Sequence, residues 1–196
     1  MTVLIDIIGA TLILGILILS IFGMDTNLNQ ANYNKTFTLI TQTNCVTLAR
    51  IIEFDFVKMG YHVPKDSSVS PPRNAAIIAV KSDSIVFKAD LRNNGTVNTV
   101  RYYIGSTSTL GSTKNPRDRM LYRVEDGNVI AANLGLTNLS FSYYNGDGIA
   151  TSRTDSIRSV NVFFTVESPE PVDTTYSAAF WQKKIYPKNL NPLVLN

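Results

Sequence analysis

The sequence has one cysteine, Cys45, and one histidine, His62. A single cysteine forms no disulfide within the chain, and this pair cannot supply the three or four ligands of a usual zinc cluster. The same scarcity leaves no convincing nucleophile–base set around either residue. We therefore predict neither catalysis nor a cofactor. We expect Cys45 to be a small core residue, as free cysteines usually are.

The chain also lacks any concentration of basic residues. Its formal net charge is +3, but the lysines and arginines are scattered along 196 residues. Proteins that bind nucleic acid usually gather such residues on one face or stripe. The composition therefore does not favour nucleic acid as a partner. Hydrophobic residues make up 44% of the chain, which is enough for one packed domain with an appendage.

Charge is absent from Ile7 to Met24. With residues 3–5 in front, this apolar run is long enough as a helix to cross a bilayer core of about 30 Å. No basic residue precedes Lys35 and no small-residue cleavage site follows, so the run does not resemble a removable signal peptide. We predict that residues 1–26 are a membrane-spanning segment, the first half of a long helix. Three glycines are expected to allow close helix packing there: Gly9, Gly15 and Gly23.

Asp6 is a charged residue at the start of this apolar run. A carboxylate near the start of a membrane helix costs several kcal/mol unless it is paired or lies at the interface. One interpretation places Asp6 in the headgroup region, where it helps to cap the helix. The other pairs it with the positive N-terminal amine of a neighbouring subunit. The residues alone leave both interpretations open.

Apolar residues return at helical spacing in residues 27–62. Steps of three to five residues place them on one face of a helix, and Gly60 is a natural stop. We predict that this amphipathic half packs on a globular head. The residues expected at that contact are Phe37, Ile40, Leu48, Ile52, Phe56 and Met59.

Residues 63–196 carry short alternating runs separated by turn residues. The run Ile85–Ala89 precedes Asn94-Gly95, and Asp126-Gly127 supplies another hairpin turn. Such runs without intervening helical patterns indicate an antiparallel sheet. The predicted fold class is therefore α+β: a long N-terminal helix, half membrane-spanning and half amphipathic, packed on an antiparallel sheet head.

The segment from Asn145 to Gly148 reads N-G-D-G. Asn, Asp and Gly favour a simple surface turn. A calcium site is the lesser alternative, because the spaced acidic ligands of a calcium loop are absent.

The opening T-V-L-I-D, from Thr2 to Asp6, resembles the F-T-L-I-E start of processed type IV pilins. Segments of the head resemble, in the same order, those of PilW-type minor pilins and of J-type minor pseudopilins of type II secretion. These segments are D-S-I-V-F-K-A-D from Asp83, V-R-Y-Y from Val100, L-Y-R from Leu121, L-S-F-S-Y-Y from Leu139, I-R-S-V from Ile157 and Y-P-K-N-L from Tyr186.

The sequence departs from the family pattern at its start. The acid is Asp rather than Glu, and it stands at position 6, which becomes position 5 if processing begins at Thr2. The basic leader ending in Gly that prepilin peptidase recognises is absent. Either the sequence begins after or inside the leader, or the protein is not processed in the usual way.

The resemblance implies a type IV pilin-like fold and a structural subunit of a pilus or pseudopilus, placed at the fibre tip. It implies a single-pass inner membrane location with the head outside the cytoplasm. The implied partners are other pilin or pseudopilin subunits, inner membrane lipid and the assembly platform. In the family the acidic residue meets a neighbour's N-terminal amine, which makes Met1, Thr2 and Asp6 the expected assembly residues.

Two alternatives remain at this point. The first is a membrane-anchored envelope-binding protein that never polymerises. The second is a DNA-uptake pilin whose head binds DNA.

Overall fold

The computed structural model describes residues 2–66, 73–111, 113–172 and 174–190. One long helix, α1, is followed by nine strands and two 3-10 turns. Helix α1 covers Thr2–Val57, and the 3-10 turns cover Thr107–Leu110 and Lys188–Leu190. The strands are β1 Lys65–Asp66, β2 Arg73–Asn74, β3 Ile77–Val80, β4 Ser84–Ala89, β5 Asn98–Ile104, β6 Arg119–Glu125, β7 Asn128–Tyr144, β8 Ser159–Glu167 and β9 Ala178–Ile185.

Strands β3 to β9 form one antiparallel sheet in which every strand pairs with its neighbours in chain order. Strands β1 and β2 form a separate small ladder. The predicted layout of a long apolar helix followed by an antiparallel sheet is thus confirmed. Side chains of β4 alternate between buried and half-buried, which is the pattern that predicted a strand at Ile85–Ala89. Side chains of β8 alternate in the same way from Val160 onwards.

The two pairs of turn residues that the sequence indicated lie in connections of different length. Asp126 and Gly127 have φ values of 48° and 87° and connect β6 directly to β7, as a two-residue hairpin turn requires. Asn94-Gly95 instead lies inside a longer loop, residues 90–97, between β4 and β5. Gly95 has a φ of 83° there.

Strand β7 is shared between two neighbours. Its first half pairs with β6 and its second half with β8, and the ladder is irregular near Leu136 in both pairings. Gly135 lies at this transition with a φ of 71°, and a Cβ atom there would collide with the carbonyl oxygen of Glu167. A residue without a side chain is therefore needed where the strand changes partner.

The sheet curls until the end of β7 meets the turn between β3 and β4. The amide of Phe141 donates to the carbonyl oxygen of Ser82 at 2.8 Å. The Tyr143 hydroxyl donates to the carbonyl oxygens of Lys81 and Ser84 at 2.8 and 3.1 Å. The curl gives the sheet a concave face that can enclose a helix.

The second half of α1 fills this concave face. The Phe56 ring lies at the centre, with ring centroids 5.4 Å from Phe87, 5.5 Å from Tyr102 and 5.8 Å from Phe141. All four side chains are buried. Edge-on and stacked aromatic contacts of this kind add about 0.5–1.5 kcal/mol per pair to the free energy of burial.

A polar clasp fixes the segment that follows α1. Gly60, with a φ of 82°, donates its amide to the Lys88 carbonyl oxygen at 2.9 Å. The buried Asp90 carboxylate accepts hydrogen bonds from the amides of Asn94 and Gly95 at 3.1 and 2.8 Å, and lies 2.8 Å from His62 Nδ1. The loop between β4 and β5 therefore holds the end of the helix.

Replacing Gly135 with alanine is expected to destabilise the head by about 1–3 kcal/mol, because the new Cβ meets the Glu167 carbonyl and requires a left-handed backbone. Urea unfolding of the detergent-solubilised chain measures the change. Gly111→Ala is the matched control, since Gly111 has a φ of −60° and its nearest neighbour would be 3.6 Å from a Cβ. Equal stability of the two variants would contradict the role of Gly135.

The clasp also predicts a pH effect. Burial raises the pKa of Asp90, but the hydrogen bonds from His62, Gly95 and Asn94 outweigh it, so the pKa lies below its usual value of 3.8. Stability from this carboxylate is present above that usual value and is lost as the pH falls through the lower, folded-state pKa. The stability advantage of the native chain over Asp90→Asn should therefore shrink on acidification below about pH 4.

Thermal unfolding between neutral pH and pH 3 checks this expectation. Asp83→Asn, which changes an exposed carboxylate on the neighbouring β3–β4 turn, is the control. A constant difference between the native chain and Asp90→Asn over this range would refute the role of the clasp.

Candidate functional site

The first half of α1 extends beyond the sheet. Every large apolar side chain from Val3 to Met24 is exposed, at 44–72% of its full accessible surface. Within the part of the chain that the structure describes, α1 is the one helix long and apolar enough to cross a membrane. An apolar surface of this length needs cover from lipid or from other protein.

Polar side chains inside this half are compatible with an apolar surrounding. The hydroxyl of Thr11 donates to the Ile8 carbonyl oxygen, and that of Ser20 to the Ile16 carbonyl oxygen, both at 2.9 Å. Such bonds satisfy the hydroxyl within its own helix. Asp6 is different, because it is exposed and has no hydrogen-bond or ion-pair partner among the described residues. It lies about 28 Å along the helix axis from Asp25, which marks the other end of the apolar run.

The other residues predicted to act in this half are Met1, Thr2 and three glycines. Met1 lies outside the described residues, and Thr2 is the first residue of α1. Nothing lies within 4 Å of a Cβ built at Gly9, Gly15 or Gly23. Their surface is therefore open to a neighbouring helix, and their packing role stays a prediction.

The second half of α1 meets the sheet through a narrower set of residues than predicted. Leu48, Ile52, Phe56 and Met59 are buried, with exposures of 0–1%. Phe37 is half-buried at the edge of the head.

Ile40 corrects the prediction, because it is 39% exposed. Each helical residue turns by about 100°, so the neighbouring Thr41 takes the place that lines up with Cys45 and Leu48. Thr41 and Cys45 are buried at 1% and 7%. Burial raises the pKa of the Cys45 thiol, which keeps it protonated at neutral pH, as in a structural cysteine.

A second exposed stripe runs along the side of α1 that faces away from the sheet. Its members are large apolar residues that are 50–59% exposed: Leu39, Val46, Phe54 and Val57. Ile40 and Ile51 lie beside them, at 39% and 37%. Between residues 26 and 49 the helix carries one charge, at Lys35. Charge returns at the later end of the stripe, where Arg50 lies between Val46 and Phe54 and Lys58 Nζ lies 4.1 Å from the Phe54 ring centroid. The stretch before Arg50 carries less charge than is usual for a helix surface in permanent contact with water.

A buried polar lock joins α1 to the sheet, and sequence reasoning missed it. The Asp55 carboxylate is 2% exposed and accepts hydrogen bonds from the Tyr102 hydroxyl and from Arg123 Nε, both at 2.6 Å. Arg123 also bonds Glu125 at 3.0 Å, and Arg92 pairs with Glu125 at 2.5 Å. Burial and the nearby Asp55 carboxylate raise the pKa of Tyr102, so it stays a hydrogen-bond donor well into alkaline solution.

A signal for this lock is present in the sequence. Asp55 follows Ile52 by three residues and directly precedes Phe56, so it lies beside the buried stripe of the helix. A carboxylate at such a position needs a cation in the part of the head that covers it.

The N-G-D-G segment forms a closed turn. Asn145 Oδ1 accepts the amides of Asp147 and Ile149 at 3.0 and 2.9 Å. The described residues contain no group of three or more His, Cys, Asp or Glu side chains that could hold a metal ion.

No protein-family model matches this chain, and comparison with curated proteins finds no significant match.

Replacing Asp55 with alanine is expected to cost about 3–5 kcal/mol, because the Arg123 guanidinium and the Tyr102 hydroxyl lose their buried acceptor. Glu53→Ala is the matched control two residues away. Its ion pair with Lys183 is more exposed and contributes at most about 1 kcal/mol. Urea unfolding of both variants gives the comparison. Combining Asp55→Ala with Arg123→Met should recover part of the loss, and strict additivity would contradict the lock.

Proposed function

We propose that this chain is a membrane-anchored structural subunit of the minor pilin or pseudopilin type. In this proposal it waits in the inner membrane with its head outside the cytoplasm. It then assembles with other pilin or pseudopilin subunits, through an assembly platform, at the tip of a type IV pilus or type II secretion pseudopilus. It performs no catalysis. The observation that carries the proposal is the division of one continuous helix into a free apolar half and a docked half.

The free half can exchange one apolar surrounding for another. Lipid covers its side chains while the subunit is in the bilayer, and the helices of neighbouring subunits cover the same side chains in a fibre. Because the helix satisfies its own backbone and its hydroxyl groups, the transfer breaks no internal hydrogen bond. Among the described residues of this half, Asp6 alone needs a partner from outside, and a neighbour's N-terminal amine has the charge to supply it.

The exposed stripe on the docked half supports contact between subunits outside the bilayer. Leu39 is about 22 Å and Val57 about 50 Å beyond Met24 along the helix axis, too far for lipid to cover them. Residues that are apolar, exposed and out of reach of lipid are expected to meet protein. The stripe belongs to the same helix as the anchor, so a neighbour that packs beside the anchor can continue along it.

The buried contacts hold the head rigidly to the helix. The aromatic cluster around Phe56, the Asp55 lock and the Asp90 clasp all lie along the docked half or at its end. A subunit that is pulled from a membrane by contacts on its helix needs such an attachment, since otherwise the helix would leave without the head.

The positions of the resembling segments also support the proposal. The segments from Asp83, Val100, Leu121 and Leu139 lie on or at the start of β4, β5, β6 and the second half of β7. The segment from Ile157 leads into β8, and the segment from Tyr186 follows β9. The resemblance therefore follows successive elements of one sheet, which chance similarity of short motifs would rarely do.

Substitution of Asp6 in the native host tests the proposal. Asp6→Ala should accumulate in membranes at normal levels, while its share in fibres sheared from the cells falls by about a hundredfold or more. The reason is that an unpaired buried amine costs about 3–5 kcal/mol in the assembled state. Quantitative immunoblots of the two fractions measure the ratio.

Asp25→Ala is the matched control, because Asp25 is also a helical carboxylate but lies at the other end of the apolar run. It should enter fibres normally. If Asp6→Ala enters fibres as well as the native chain does, or if the native chain never leaves the membrane, the fibre proposal is wrong. A fixed membrane anchor with a binding head then becomes the better explanation.

A further inference from the structure

A groove opens where α1 leaves the head. One wall is the helix itself, and the other is the segment of residues 170–172 in the loop between β8 and β9. The helix wall consists of Thr26, Asn29, Gln30, Tyr33 and Phe37, and the loop wall of Glu170, Pro171 and Val172.

Two contacts show how this loop is oriented relative to α1. The hydroxyl oxygens of Thr38 and Ser177 lie 3.3 Å apart, and Lys183 forms an ion pair with Glu53. The helix from residue 38 to 53 and the strand from residue 177 to 183 each cover about 20 Å. Strand β9 therefore runs beside α1 in the same direction. The loop that precedes β9 lies at the end of the head nearest to Met24.

The groove begins at the height of the lipid headgroups if the apolar run ending at Met24 lies in the bilayer. Thr26 is about 3 Å and Tyr33 about 13 Å beyond Met24 along the axis. The headgroup layer of one leaflet is about 5–8 Å thick. The part of the groove near Thr26 therefore lies within the headgroup layer. Tyr33, which is 63% exposed, lies just above this layer.

The charges around the groove match a zwitterionic headgroup. Glu170 and Lys114 form an exposed pair at 2.9 Å, and the two charges are available to a headgroup ammonium and phosphate respectively. The Arg117 guanidinium lies 4.8 Å from the Tyr176 ring at the same end of the head. Tyrosines and basic side chains of this kind are typical of protein surfaces at the membrane interface.

We propose that this groove binds the headgroup of a zwitterionic phospholipid from the leaflet through which α1 leaves the bilayer. The inference rests on the membrane location in the proposed function and is independent of fibre assembly. The headgroup ammonium contacts Glu170 and the phosphate contacts Lys114. The head therefore stands on the membrane surface at a defined height.

Depth-dependent quenching in phosphatidylcholine nanodiscs tests the proposal on the full chain. A fluorophore is attached to Thr174→Cys, an exposed residue of the same loop outside the groove wall, and the lipid carries a nitroxide on its headgroup. Cys45 is buried, so the unsubstituted chain gives a low labelling background. Ile149→Cys is the matched control: Ile149 is 64% exposed and follows β7 at the opposite end of the head.

The Thr174 probe should be quenched several-fold more strongly than the Ile149 probe. A Leu12→Cys probe with a nitroxide on the lipid acyl chain reports insertion of the anchor. Equal quenching at Thr174 and Ile149, with Leu12 quenched, overturns the groove proposal and leaves the membrane location intact. An unquenched Leu12 probe overturns the membrane location itself, and the groove proposal falls with it.

A second variant separates binding from mere proximity. Glu170→Ala in the Thr174→Cys chain removes the acceptor for the headgroup ammonium and should lower the quenching measurably, although the helix still holds the loop nearer to the headgroups than Ile149. Asp155→Ala, which removes a carboxylate paired with Arg153 elsewhere on the head, should leave it unchanged. Unchanged quenching in Glu170→Ala would show that the groove does not recognise the headgroup, and the proposal would be abandoned.

Discussion

A peptide group in hydrocarbon has no water to bond, so a chain that enters a bilayer once must satisfy its backbone within a single helix. Helix α1 meets this requirement and continues without interruption to Val57. The head encloses the second half of this helix. The rest of the structure follows from this continuity. A rod that leaves the apolar layer needs one face for the head, and the curled sheet supplies a concave surface of matching shape. The other face is then left for partners, and the single charge between residues 26 and 49 is consistent with that use.

The attachment between rod and head combines two kinds of contact with different consequences. Apolar burial around Phe56 supplies most of the free energy, because it is proportional to the area removed from water and does not depend on exact geometry. The pairing of Asp55 with Tyr102 and Arg123 adds little net free energy, since both charges lose water on burial. These hydrogen bonds can form, however, at only one rotation of the helix about its axis and at one position of the helix along the sheet. Apolar burial thus stabilises the contact between helix and sheet, and we infer that the Asp55 lock fixes the position of the helix on the sheet.

Those parts of the fold that depend on local pattern could be predicted from the sequence. The apolar run to Met24, the alternation in β8 and the Asp126-Gly127 hairpin each carry their own signal within a few residues. The prediction for Ile40 was wrong because the spacing of apolar residues does not determine whether Ile40 or the adjacent Thr41 faces the sheet. The Asp55 lock was missed because its partners come from β5 and β6, far along the chain. The assembly residues stay predictions because Asp6 finds no partner within the described chain.

The direction of β9 beside α1 divides the head into two ends with different tasks. The loops that contain Lys114 and Glu170 lie at the end next to the anchor, whereas the Asp90 clasp lies beyond the far end of α1. If the chain is an anchored subunit, as proposed, the near end faces lipid, and the outer stripe and the far end are the surfaces left for other subunits. Under the proposed function, entry into a fibre takes the near end out of contact with lipid and into contact with protein or water. Because its charges are exposed in solvated pairs rather than buried, that exchange costs little. A head built this way can rest on the membrane and still leave it.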